Sequence, residues 1–199
     1  NFPQGKVYDG YKNKLYQTEM VDGIKVIRVW SYIVANKGFI KRTLDFISFS
    51  VTAFLAGLFV KTDLIIATSP QFFTALAGRV LSRWKRRPWI MEVRDLWPES
   101  IKTVGAMNDN LFIKYFEWQE MRCYRSAQKI VVVTDSYKKT LVGRGIDSEK
   151  IYVVKNGVDK SVFNPMPKDE ELLKKLGLEG KTVVGYIGTH GMAHKLDFI

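Results

Sequence analysis

The stretch from Lys129 to Pro165, KIVVVTDSYKKTLVGRGIDSEKIYVVKNGVDKSVFNP, most constrains the fold. An apolar run of strand length leads into a short helical segment, a second apolar run and a tight turn. Two strands joined by a helix pair side by side in the same direction, which makes this the βαβ unit of a parallel sheet.

The alternation continues on both sides. Strand patterns fall at Ile24–Val29, Asp63–Thr68, Trp89–Val93, Ile130–Thr134, Ile151–Val154 and Thr182–Ile187. The uninterrupted apolar character of Asp63–Thr68 is that of a parallel strand covered on both faces. Helical patterns lie between them. One spans about 41–60, with Lys41 and Arg42 in its first turn. A second opens at Ser69-Pro70, where Ser suits the N-cap and Pro the first turn. On it Phe72, Leu76, Val80 and Trp84, flanked by Phe73, Ala77 and Leu81, predict one packed face. It ends in Arg83, Lys85, Arg86 and Arg87, before Pro88. A long helix capped by Asn108 or Asp109 carries Phe112, Phe116, Gln119 and Cys123 on one face. Shorter ones cover Ser136–Val142, closed by Gly143 or Gly145, and Asp169–Leu176, closed by Gly177. Residues 1–23 read as loop. The class is α/β, a Rossmann-like parallel sheet flanked by helices.

At 199 residues, 46% of them hydrophobic, the chain can build a real core. A net charge of +11 favours phosphates, whether on a nucleotide sugar, anionic lipid or nucleic acid. No recognised DNA or RNA module is present, which weighs against nucleic acid. Cys123 is the sole cysteine, so no internal disulfide forms, as in a reducing compartment. Leu44–Val60 is membrane-like but only 17 residues long, with Asp45, Ser48, Ser50 and Thr52 inside it. A spanning helix needs about 20 apolar residues. A buried helix, or one resting in a membrane interface, fits better. No signal peptide is visible, and the chain reads as a fragment.

Ligands of open parallel sheets bind beyond the carboxyl ends of the strands. That directs attention to Ser69, to Arg94–Ser100, to Thr134–Ser136, to Asn156–Asp159 and to Gly188–Gly191. Arg94 offers phosphate a planar fork of donors. Asp95 would orient it or accept bonds from a sugar hydroxyl, and Glu99 lies in the same loop. The plainer alternative is an Arg94–Asp95 ion pair that closes the loop. Gly185, Gly188 and Gly191 let backbone N–H groups approach a phosphate, although their spacing is not the dinucleotide fingerprint. His190 and His194 stand four apart but lack a third ligand, so no metal is expected.

The 129–165 string, ending in Asn156-Gly157-Val158-Asp159 with Phe163 and Pro165, resembles the end of the N-terminal domain in family 4 glycosyltransferases, the retaining two-domain sugar transferases. EVRDLWPES resembles a bacterial subgroup that builds surface polysaccharides, with Arg94 where many members carry histidine. YIGTHGMAH resembles the first strand and loop of the donor-binding domain. Thr189 and His194 stand where that loop often presents arginine and lysine, with Lys195 next to them.

The resemblance implies the two-domain GT-B architecture. Residues 1–165 would be the N-terminal, acceptor-side domain without its first strand, and 166–199 the linker and start of the donor domain. It implies a nucleotide-sugar donor, a UDP sugar, a glycan or lipid-linked acceptor, and peripheral contact with an anionic inner membrane face from the cytoplasm. No cofactor is implied, since basic side chains and helix N-termini carry the diphosphate charge. Donor or acceptor contacts fall to Ser69, Arg94, Asp95, Glu99, Asn156, Gly188, Thr189, His190 and Lys195. The family's catalytic glutamate pair would lie beyond Ile199, so the fragment alone is expected to be inactive. Two rivals stay open: a nucleotide-sugar epimerase of the same architecture, and a non-catalytic basic module that binds membrane or nucleic acid.

Overall fold

A computed structural model of the chain describes residues 5–35, 39–69, 71–97 and 111–188. The chain divides into two compact units, Asn1–Lys155 and Asn156–Ile199.

The first unit opens with a hairpin, β1 (Tyr16–Val21) paired antiparallel with β2 (Ile24–Val29). Residues 16–21 are therefore strand and not the expected loop. The turn between them is Asp22-Gly23, with φ of 50° and 79°. Both residues sit in the left-handed region that a two-residue type I′ hairpin requires. Arg28 pairs with Glu19 across the hairpin. The Asn13 side chain donates to the Ser31 carbonyl at 2.8 Å and accepts from the Ser31 N–H at 3.2 Å, fixing the preceding loop.

Helix α1 (Phe39–Leu58) follows, then β3 (Ile65–Ser69), α2 (Phe72–Lys85), β4 (Trp89–Val93), α3 (Leu111–Ser126), β5 (Lys129–Val132), α4 (Asp135–Gly143) and β6 (Ile151–Val153). The four strands from β3 onward form one parallel sheet in the order β3-β4-β5-β6. Each strand lies beside its predecessor. Right-handed crossovers in a single direction place the connecting helices α2, α3 and α4 on the same face.

The core confirms this placement. Ala67, Trp89, Met91, Val93, Ile130, Val132 and Ile151 from the sheet meet Ala75, Cys123, Tyr124, Ala127 and Leu141 from the helices. The alternate residues Ile66, Ile90, Glu92, Val131 and Tyr152 are half-buried or exposed. Strands expected to be covered on both faces are thus covered on one among the described residues.

Helix α2 differs from its sequence pattern. Its buried residues are Phe72, Ala75, Gly78, Arg79 and Ser82, while Val80 and Trp84 are exposed. The physical reason is how closely the helix approaches the sheet. A Cβ added at Gly78 would lie 2.4 Å from the Cβ of Ala67, so only small residues fit there. The large residues Phe73, Leu76 and Val80, with Ala77 beside them, turn toward α1 and line a groove with Ile47, Val51 and Phe54. Gly78→Ala is therefore expected to destabilise by about 1–3 kcal/mol, although alanine favours a helix by roughly 1 kcal/mol over glycine. The midpoint of urea unfolding checks this.

The cap of α2 differs too. Ser69 is the last residue of β3, and Gln71 caps the helix without a side-chain bond. Pro70 lies outside the described residues. At the other end Arg86 adopts φ 54°, ψ 42°, the left-handed cap that glycine favours. Arg86→Gly is expected to raise stability by about 1 kcal/mol, or roughly 2–4 °C in Tm, read by thermal melting. Lys85 reaches back to cap α1, its Nζ donating to the carbonyls of Leu58 at 2.9 Å and Val60 at 2.8 Å.

On α3 the buried face is Ile113, Phe116, Glu120, Cys123 and Tyr124. The Phe112 side chain and the expected cap at 108–109 lie outside the described residues. Burial pushes the Cys123 thiol up to about 12. Thr134 caps α4 by accepting from the Tyr137 N–H at 3.2 Å. Gly145, at φ 83°, follows that helix.

The second unit carries α5 (Glu170–Lys175), capped by Asp169, which accepts from the Leu172 N–H at 2.9 Å. Gly177 follows at φ 65°. Residues 182–187, expected as a strand, are not one. No strand is assigned over them, and Val184 and Ile187 are exposed. A strand exists only with a ladder partner.

Candidate functional site at the carboxyl edge of the sheet

All four parallel strands end on one edge, and the polar residues flagged from the first unit collect there. Ser69, buried, closes β3, and its carbonyl accepts from the Arg94 N–H at 2.8 Å. This bond extends the β3–β4 ladder by one residue and fixes where the loop after β4 begins. Arg94 and Asp95 are exposed at that point.

Among the described residues, Arg94 has an ion partner in Glu92. Nη1 lies 3.6 Å from Glu92 Oε1, and the other carboxylate oxygen accepts from Thr68 Oγ1 at 2.6 Å. Strand alternation explains this choice. Residues two apart share a face of the sheet, whereas neighbours point to opposite faces. Arg94 thus continues the open-face row begun by Glu92. Thr68, Glu92 and Arg94 form a polar chain leading along the sheet surface to its edge. Glu92 was not singled out from sequence, although a lone carboxylate inside WIMEV carries the signal.

Burial raises the Tyr137 phenol above its usual value, and the Asp95 carboxylate raises it further. A neutral tyrosine beside a carboxylate is a hydrogen-bond donor over the whole physiological range. Lys155, just past β6, lies 3.2 Å from Asp135 at the start of α4. Both are well exposed, so the pair contributes little to stability and leaves the lysine accessible.

The loop after β4 is held by Trp97. Its ring stacks on Phe72 at 5.6 Å with an interplanar angle of 9°, and meets the edge of Phe116 at 5.9 Å. Leu96 packs against the core. Arg94 and Asp95 are therefore fixed between a buried strand end and a pinned aromatic side chain. Helices α2 and α4 begin on this edge, and their amino-terminal N–H groups favour anions. The arrangement suits a phosphorylated ligand with hydroxyl groups.

Glu99, Thr189, His190 and Lys195 lie outside the described residues, as do His194 and Gly191. Asn156 and Gly188 belong to the second unit, where both are exposed. Within that unit Asp159 accepts from the Ser161 N–H at 2.8 Å and hydroxyl at 2.7 Å. These two bonds hold its carboxyl below the usual range. Among the described residues, no three His, Cys, Asp or Glu side chains gather as a metal would need.

An open parallel α/β sheet with its polar residues at the carboxyl edge is a Rossmann-like fold, whose ligands bind beyond the carboxyl ends of the strands. Residues 8–157, well over half of the chain, match the family of glycosyl transferase 4-like domains, and the chain belongs to that family. The alpha-maltose-1-phosphate synthase of Mycolicibacterium smegmatis is 22% identical over 138 residues, covering 65% of this chain and 35% of that protein. The Anabaena HepE protein, solved in complex with UDP-glucose, aligns with a TM-score of 0.49 and 16% identity, over 74% of this chain and 36% of that one. The chain spans about a third of the length of these relatives.

Proposed function

We propose that the protein is a retaining glycosyltransferase that moves a sugar from a UDP-activated donor to a glycan or lipid-linked acceptor in bacterial surface polysaccharide synthesis. The family match over residues 8–157 carries this reading. In this reading residues 1–165 are the acceptor-side domain, and 166–199 begin the donor-binding domain. Hexosyl or N-acetylhexosaminyl transfer would take place on the cytoplasmic side of the inner membrane, and the 199 residues alone would be inactive. Arg94 and Asp95 are the candidate contacts with the substrates, with Ser69 at the strand end beside them and Glu99 a candidate from sequence. Asn156, Gly188, Thr189, His190 and Lys195 are further candidates from the second unit.

Arg94 supplies the positive charge and Asp95 the hydroxyl acceptor. Charge developing on the leaving diphosphate is stabilised by fixed donors, without bound metal. The test is transfer of labelled sugar from UDP-glucose or UDP-N-acetylglucosamine to a polyprenyl-diphosphate-linked acceptor, using the whole protein that contains this chain. Arg94→Ala is expected to lower kcat/KM about 10–100-fold, with Arg94→Lys recovering only part of it. A protein that alters the sugar without transferring it, or an Arg94→Ala variant of full activity, would overturn the proposal.

A further inference from the structure

Helix α1 presents an apolar stripe that nothing described in the chain covers. Ile40, Leu44, Ile47, Val51, Leu55 and Phe59 recur at spacings of three and four, on and just beyond the helix, so they share one side of it. All six are exposed, from 38% at Ile47 to 89% at Phe59. Val80 and Trp84 of the neighbouring helix α2 are exposed as well, Trp84 at 73%.

The other flank of α1 is polar and engaged. Thr52 Oγ1 donates to the Trp30 carbonyl at 2.7 Å, and Ser48 Oγ accepts from the Tyr32 N–H at 2.8 Å. These bonds, with Phe54 and Gly57 set against α2, fix the helix to the body of the unit and leave the stripe exposed. No helix among the described residues is long and apolar enough to cross a membrane.

The charges around the stripe have one dominant sign. Lys41 and Arg42 stand at its start and Lys61 at its end, with Arg83, Arg86 and Arg87 beside Trp84, and all six are exposed. Of the acidic residues in these segments, Asp45 is half-buried and Asp63 lies 3.6 Å from Arg87. An apolar stripe rimmed by cations, with an exposed tryptophan at its border, matches the chemistry of an anionic lipid surface.

We propose that α1 and the end of α2 form a docking surface on which the protein lies in the plane of an anionic bilayer. The stripe enters the acyl boundary, Trp84 and Phe59 sit at headgroup level, and the six cations contact lipid phosphates. This surface is distinct from the carboxyl edge of the sheet, and the proposal holds whatever sugar chemistry the protein performs.

The test is sedimentation of the 199-residue chain with vesicles of phosphatidylglycerol and phosphatidylethanolamine, against vesicles of phosphatidylcholine alone. Binding is expected to the anionic vesicles only, and to weaken as salt rises. The variant Val51→Gln, Leu55→Gln, Phe59→Gln changes only exposed positions and is expected to bind at least about tenfold more weakly. Arg83→Gln with Arg86→Gln is expected to lose roughly fivefold per charge. Brominated lipid should quench tryptophan emission, with a component that disappears in Trp84→Phe. Three results would overturn the proposal: no anionic binding, binding that the triple variant retains, or a stable dimer that the triple variant abolishes. The dimer would assign the stripe to a second copy of the chain.

Discussion

Glu120→Ala is expected to lower the stability of the chain by about 3–5 kcal/mol. Glu120 is buried in α3, and its two oxygens are both engaged: Oε1 accepts from the Tyr124 hydroxyl at 2.7 Å and Oε2 from Arg144 Nη2 at 2.7 Å. Arg144 is the C-cap residue of α4, so the carboxylate ties two helices of the single helix layer together. Truncation removes the acceptor of two short bonds and leaves a cavity where a carboxylate stood. The same logic sets the control. Replacing both members of the pair by apolar residues of similar size, Glu120→Leu with Arg144→Met, removes the desolvated charges together and should cost less than either single truncation. Urea unfolding of Glu120→Ala, Arg144→Ala and the double variant checks both statements. A loss below about 1 kcal/mol for Glu120→Ala would mean that water reaches the pair freely.

Trp89→Ala is expected to cost a similar amount, about 3–5 kcal/mol. Trp89 begins β4, is almost wholly buried, and lies at the point where α2 comes closest to the sheet. Its carbonyl accepts from the Gln128 N–H at 2.9 Å, so the backbone there also starts the pairing of β4 with β5. Removing the indole takes away the largest side chain in the contact between the strand and the helix above it. A domain of ordinary stability, about 5–15 kcal/mol, would be left marginal. Trp89→Phe should recover most of the loss, since a ring of nearly the right size remains. Thermal melting of the two variants decides it: an alanine variant that melts with the parent would show that the helix layer closes over the gap.

The parts of this fold that could be read from the chain are those whose cause is local. The apolar runs at Trp89–Val93 and Ile151–Val153 are strands because their alternate side chains fill one core. Asp169 and Gly177 bound a helix because one offers a side-chain acceptor and the other a free φ. What escaped has causes that lie elsewhere in the molecule. Strand β1, YQTEMV, buries no residue and is held by its ladder to β2, so an apolar pattern does not reveal it. The Asp22-Gly23 turn was the available signal. On α2 the large side chains Val80 and Trp84 suggested the inward face, but the close approach to Ala67 requires a small residue at Gly78, and the buried face runs instead through Phe72, Ala75, Gly78, Arg79 and Ser82. Glu120 finds Arg144 twenty-four residues away, and nothing near either residue announces the pair. At the candidate site the period of two along β4 already favoured Glu92 over Asp95 as the partner of Arg94. That reading needed the strand to continue one residue past its apolar run.

The order of the strands also bears on how the chain reaches this state. Because β3, β4, β5 and β6 lie side by side in the order of synthesis, each new strand finds its partner in the segment made just before it. No strand has to wait for a distant one, which keeps sequence separations short and favours rapid folding. During translation the sheet can grow one strand-and-helix unit at a time. A chain halted near Gln128 would already hold β3 and β4 in register, with a template edge awaiting Lys129–Val132.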